Sequence, residues 1–220
     1  MKKISLVAFI LGSSMALFAQ KSSTFSPSFG IKAGLNLAKM RANDFPSGYE
    51  PDVSNKKSGY GGLFMNAPLG TGGFAIQPEL LYSRQGGKFK ENTMVGTTTQ
   101  TMEYDEDLSY INLPIMLQWR APAGVVIETG PVPGYLIKAK QDGPGSTEAD
   151  NKSSFDKFDL AWAAGLGFKT KAGLGIGARY NFGLTNTIND GGGNNSSNSG
   201  PELKNSVIQI GLSWGFGANK

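Results

Sequence analysis

The chain contains no cysteine and no histidine. Without cysteine there is no disulfide framework, no thiolate zinc site, no cysteine nucleophile and no lipid-anchored cysteine behind a leader. Without histidine, serine–histidine triads and imidazole-ligated zinc are excluded, and the commonest general base is missing. Long apolar runs are also scarce. Beyond the first 19 residues no stretch of ~18 apolar residues occurs, so no membrane-spanning helix is encoded there. No stripe of Lys and Arg interleaved with aromatics is present, and no nucleic-acid partner is read.

Glycine, by contrast, is abundant, at 31 of 220 residues. In helix interiors each Gly costs roughly 1 kcal/mol relative to Ala, so strands, tight turns and a crowded interior suit this composition better. The length fits one domain. At the N-terminus, Lys2 and Lys3 precede an apolar stretch that ends in Leu17-Phe18-Ala19, with Gln20 following. Residues 1–19 are read as a secretory signal peptide, with an uncleaved anchor as the alternative. Its removal lowers Lys+Arg from 21 to 19 against 17 Asp+Glu, so the basic balance is partly a property of the leader.

After a polar lead-in over residues 20–28, eight segments alternate with period two, which a strand preserves and a helix scatters. They are expected over residues 29–38, 59–69, 74–85, 108–120, 124–137, 155–170, 173–186 and 206–217. In the first, Phe29, Ile31, Ala33, Leu35 and Leu37 share a face, and Gly30, Lys32, Gly34 and Asn36 share the other. The sixth and seventh show the same split, with Phe158, Trp162, Leu166 and Phe168, then Ile176, Tyr180 and Phe182, on the apolar side. The second segment leaves open whether Leu63 and Met65 or Tyr60 and Phe64 face outward. The fifth, broken by Pro131 and Pro133, leaves its second half open. Pro78 cannot donate to a ladder, so it requires a bulge or a missing bond.

Connections alternate. Tight ones fall at 70–73, 121–124 and 170–173; long ones at 39–58, 86–107, 138–154 and 187–205. An even strand number with this rhythm predicts an all-β, eight-stranded antiparallel up-and-down transmembrane β-barrel spanning 29–217. Both termini would lie on the short-turn side, in the periplasm, with the long loops outside the cell. Apolar residues would face lipid. Phe29, Phe74, Trp119, Phe168, Trp214 and Phe216 would form one aromatic girdle, and Tyr82, Phe158 and Phe182, with Tyr135, the other.

Eight strands leave an interior that side chains can fill. The inward charges Lys32 and Arg179 nearly balance Glu79, Glu128 and Asp159, and buried charges must pair. A salt-bridged plug is the favoured reading. A narrow ion path, or acid/base chemistry by Glu79, Glu128 and Asp159, is the alternative. The acidic run Glu103, Asp105, Glu106 and Asp107 reads as a solvated face, with a divalent cation bridging lipopolysaccharide as the sharper option. Residues 189–200 read as a polar loop tip. The Gly165/Gly167 and Gly173/Gly175/Gly177 pairs lack the strand-then-helix setting of a nucleotide loop. No catalytic, cofactor or metal constellation is read.

The segments FGIKAGLNLAK, PELLYSRQG, YINLPIMLQW, ETGPVPGYLI, FDLAWAAGLGF and ARYNFGLTNTI run in order along the chain. Together they resemble the PorT-like outer-membrane β-barrel proteins of Gram-negative bacteria. That resemblance implies an eight-stranded outer-membrane barrel, for most members without a defined activity, and for PorT itself an association with protein secretion. The chain runs four residues past Phe216, whereas such barrels usually end on an aromatic read by the insertion machinery; Leu212, Trp214 and Phe216 keep the spacing. The expected partners are outer-membrane lipid and lipopolysaccharide, the insertion machinery during biogenesis, and a secretion-system or surface partner. The expected state is a monomer. The expected work is structural or is binding through the surface loops, without catalysis; a transport or secretion component, a membrane enzyme and a soluble ligand-carrying barrel are the rival readings, the last demanding apolar residues inside.

Overall fold

The computed structural model describes residues 27–43, 52–95, 98–143, 149–150, 152–188 and 202–216. The signal-peptide reading over 1–19, most of the lead-in and the polar tip over 189–200 lie outside them. Eleven strands form one antiparallel sheet: β1 (Ser28–Asn43), β2 (Asp52–Ser54), β3 (Lys56–Pro68), β4 (Phe74–Val95), β5 (Thr98–Asn112), β6 (Ile115–Arg120), β7 (Val125–Asp142), β8 (Ala149–Asp150), β9 (Phe158–Lys169), β10 (Leu174–Gly183) and β11 (Glu202–Phe216). Strand β1 pairs with β3 on one side and with β11 on the other, which closes the sheet. Strands β5 and β6 together make one wall segment, so the ring has eight staves.

The alternation sets which face is which. Leu35, Leu166 and Leu212 are more than 60% exposed, and every large outward residue read from β9, β10 and β11 is exposed or half-buried. Asn36, Glu79, Arg179 and Gln209 are buried inside. The two open parities are resolved. On β3, Tyr60 and Phe64 point inward and Leu63 outward. On β7, Tyr135 and Ile137 continue outward while Val132 and Leu136 are buried. A register shift opposite Ser109 and Tyr110 comes only after that, so the prolines do not flip the strand.

Prolines do break a neighbouring stave. Strand β5 stops at Asn112 and β6 begins at Ile115, with Leu113 and Pro114 between. Pro78 stands opposite Ile115. Neither Pro78 nor Pro114 has an N–H, so regular pairing fails on both sides of the seam. Two bonds bridge it: Glu79 N to Pro114 O at 2.9 Å, and Leu113 N to Pro133 O at 2.8 Å.

The three short turns share one device. Each ends on a glycine in the left-handed region: Gly73 at φ 78°, Gly124 at 95° and Gly173 at 87°. Each of these glycines then offers its carbonyl to a neighbouring stave, accepting from Arg120 N, Lys169 N and Gly215 N at 2.8–3.0 Å.

The long-loop side departs from expectation. Residues 86–107, read as a loop, are mostly strand, and only 96–97 separate β4 from β5. At ~3.3 Å per residue, the 22 residues of β4 reach roughly 70 Å. The apolar band of such barrels is ~25 Å tall, so much of this hairpin stands beyond it. Its polar residues carry no apolar alternation, which hid the strands. Cross-strand ion pairs hold it instead: Lys90 with Glu103 at 2.6 Å, Lys88 with Asp105 at 3.4 Å, and Lys56 and Arg84 with Asp107 at 3.0 and 3.1 Å. Three members of the acidic run are thus held by basic side chains.

Candidate functional site

The lumen is layered. Toward the short turns, Arg179 on β10 reaches across to β4, donating from Nη1 to Glu79 Oε2 and from Nη2 to Glu79 Oε1, both at 2.9 Å. Its Nε donates to Glu128 Oε1 on β7 at 2.8 Å. Lys32 Nζ on β1 lies 2.8 Å from Glu79 Oε1. The Glu79 side chain has no exposed surface, and that of Arg179 is 4% exposed. Two cations and two carboxylates leave the cluster neutral.

Neutral amides complete it. Gln77 Nε2 donates to Glu79 Oε1 at 2.8 Å, and Gln118 Nε2 to Glu128 Oε2 at 2.7 Å. Asn66 Nδ2 joins Gln77 Oε1 and Gln118 Oε1 at 3.1 and 2.9 Å. Inward glycines serve this crowding. A Cβ on Gly165 would stand 3.0 Å from Glu128 Oε1, and one on Gly211 only 2.3 Å from the Tyr60 hydroxyl. A cavity of about 70 Å³ adjoins the cluster, lined in part by Lys32, Tyr60, Phe64, Lys169 and Arg179.

Further along, Asn36 Nδ2 donates to Ser83 Oγ and Arg84 O at 3.0 and 2.7 Å, and Gln209 Nε2 to Asn36 Oδ1 at 3.0 Å. Met116, Val132, Ala161 and Ala163 form a small apolar layer. The long-loop mouth is then closed by Met40, Val53, Phe89, Leu108, Tyr110, Leu136, Ala139 and Phe155, all buried together. The interior is therefore polar only in part. Sequence reading missed this cap because the first and third segments were ended at Ala38 and Gln85, short of Met40 and Phe89. Carrying the inward parity of Asn36 and Ala38 two residues on finds Met40, and carrying that of Ser83 and Gln85 through Gly87 finds Phe89, since the pairing of β4 with β5 keeps its register there.

Of the five charged residues expected to form one network, Lys32, Glu79, Glu128 and Arg179 come together. Asp159 does not. Gly165 on β9 pairs with both Arg179 and Glu128, and Asp159 lies six residues away on the same strand, roughly 20 Å along it. It accepts from Thr185 Oγ1 at 2.8 Å and Asn205 Nδ2 at 3.4 Å.

The named aromatics lie at two levels. Phe29 pairs with Phe216, and Phe74 with Trp119; Phe168 and Trp214 lie opposite Val125 and Leu174, beside the short turns. Tyr82 lies opposite Ile111, and Phe158 and Phe182 pair with Tyr135 and Trp162, toward the long loops. All ten, Tyr135 included, are between 39% and 55% exposed.

A closed eight-stave ring with an apolar outside and an ion-paired inside is one architecture; its family is given by sequence. The family model of the outer membrane protein β-barrel domain matches residues 18–189. The chain belongs to that family. Its place is accordingly the outer membrane of a Gram-negative bacterium. Among solved structures, Neisserial surface protein A aligns at 14% identity and TM-score 0.50, covering 86% of this chain and 97% of its own. Ail, the attachment invasion locus protein of Yersinia pestis, solved with the heparin analogue sucrose octasulfate, aligns at 16% identity and TM-score 0.47, covering 87% and 99%. At such identities the likeness to Neisserial surface protein A shows the fold. No curated protein matches this chain.

Proposed function

We propose that this outer-membrane barrel is a closed, non-catalytic protein that works through its exposed long-loop end. The observation that carries the reading is the doubly blocked lumen: Arg179 spans it between Glu79 and Glu128, and the apolar cap fills its other mouth. A lumen so filled offers no path for solute, which leaves the projecting strands to meet partners. The long loops then face the medium and the termini the periplasm, with residues 1–19 removed on export. The two aromatic levels lie in the headgroup layers. The six motifs favour a PorT-like branch of the family, monomeric in the membrane and inserted by the barrel-assembly machinery.

Lipopolysaccharide is the proposed lipid partner. Arg84, Lys138 and Lys140 line a groove of about 240 Å³ with Tyr82, Asp107 and Ser109 at the long-loop end. Arginine and lysine side chains gathered at one groove suit a phosphorylated headgroup. The competing reading, a transport or secretion component, requires either a conducting lumen or a stable protein partner. Purified protein in a planar bilayer decides the first. The closed reading expects no unitary current; reproducible open steps from the unmodified protein would overturn it.

A further inference from the structure

Of the five charged residues expected in the lumen from sequence, Asp159 is the one that the central cluster does not use. It is 6% exposed and, among the described residues, pairs with no basic side chain. A buried carboxylate without a cation is costly, and proteins meet that cost by pairing, by protonation or by binding a metal. Its surroundings are rich in oxygen. Asn181 and Asn205 are 4% and 3% exposed, and the Oδ1 atom of each has no donor among the described residues. Both residues line the same small cavity as Asp159, together with Gln85 and Asn112. The cavity measures about 10 Å³, close to the space that one water-sized species needs.

The donors come from three successive staves, β9, β10 and β11. Buried acceptors that converge on one small cavity call for something that gives positive charge. We infer that this cage holds one sodium ion, ligated by the carboxylate of Asp159 and the amide oxygens of Asn181 and Asn205, with the Asn205 amide turned over from the orientation in which its Nδ2 donates to Asp159 Oδ2. A hard cation suits an all-oxygen set. A single carboxylate is neutralised by a monovalent ion, whereas a divalent ion would leave a buried positive charge. Bound there, the ion ties the three staves together beneath the apolar cap.

The test uses full-length refolded protein in neutral detergent. Its melting is followed by the loss of heat-dependent gel mobility, at constant ionic strength, in sodium, potassium or choline chloride. The expected result is a melting temperature that rises and saturates as sodium replaces choline, with potassium less effective. Asp159→Asn and Asn181→Leu should each abolish the rise; the second keeps the carboxylate, so the test survives if the first fails to fold. Identical melting of the unmodified protein in sodium and choline would overturn the inference and favour a protonated Asp159 with water. So would a sodium effect that survives both substitutions. Stabilisation by calcium, removed by chelator and absent with sodium, would overturn the choice of ion.

Discussion

Arg179 holds the centre of the barrel because it satisfies two carboxylates at once, and that makes its removal costlier than the pair's net worth. Buried ion pairs often roughly break even against well-packed apolar groups, but an abandoned buried charge costs about 3–5 kcal/mol. Arg179→Met should therefore destabilise the refolded protein by about that amount, since Glu79 is fully buried. Adding Glu79→Gln should restore much of the loss, because Lys32 and Glu128 then balance. Equilibrium urea unfolding from vesicles measures both. On the projecting hairpin the sign is different. A hydrogen bond and the charge of Lys90 hold the exposed Glu103 carboxyl below its ordinary range. A lowered carboxyl contributes above its unfolded value and loses the contribution as pH falls through its folded one. Acidification should dissolve this pair, and Lys90→Ala should move the Glu103 titration upward, as read by carboxyl NMR shifts.

The elements divide by how their pattern was written. Where a stave crosses the apolar band, one face meets lipid and the other the lumen, so β9, β10 and β11 were legible residue by residue. A charge on that outward face, as in Leu166→Arg, should cost roughly 2–4 kcal/mol if the residue lies near midplane. The same refolding assay reads it, and a negligible change would count against the facing. In the outer halves of β4 and β5 the few apolar residues, such as Phe89, Met94, Val95 and Met102, keep no period of two, so these stretches read as loop although backbone pairing continues to Val95 and Thr98. The lumen cluster was legible because charges facing inward must find one another, and Asp159 was misplaced because parity gives the side of a wall but not the height on it. Turns are governed by backbone. At Gly124 a Cβ would stand 2.7 Å from Lys169 O, and φ is 95°. Gly124→Ala should thus destabilise by at least ~1 kcal/mol through the lost left-handed freedom, with a lower urea midpoint and an unchanged m-value as the readout.

For the molecule as a whole, closure is a series arrangement of two different barriers. The central cluster blocks the lumen with paired charges held by hydrogen bonds; the mouth blocks it with apolar side chains that water does not wet. Either alone suffices, because an ion that passes one still meets the other. Thinning the cap with Leu108→Ser and Leu136→Ser should therefore leave planar bilayers without unitary currents. Replacing Glu79 by Gln together with Arg179 by Met should leave them silent as well, since the cap is intact. Combining all four changes, in protein shown by its gel mobility to retain the barrel, should admit current. Conduction by the cap variant alone would mean that the charge cluster leaks around Arg179, and conduction by the cluster variant alone would mean that the apolar mouth opens; each outcome assigns the seal to the barrier left unaltered in the silent variant.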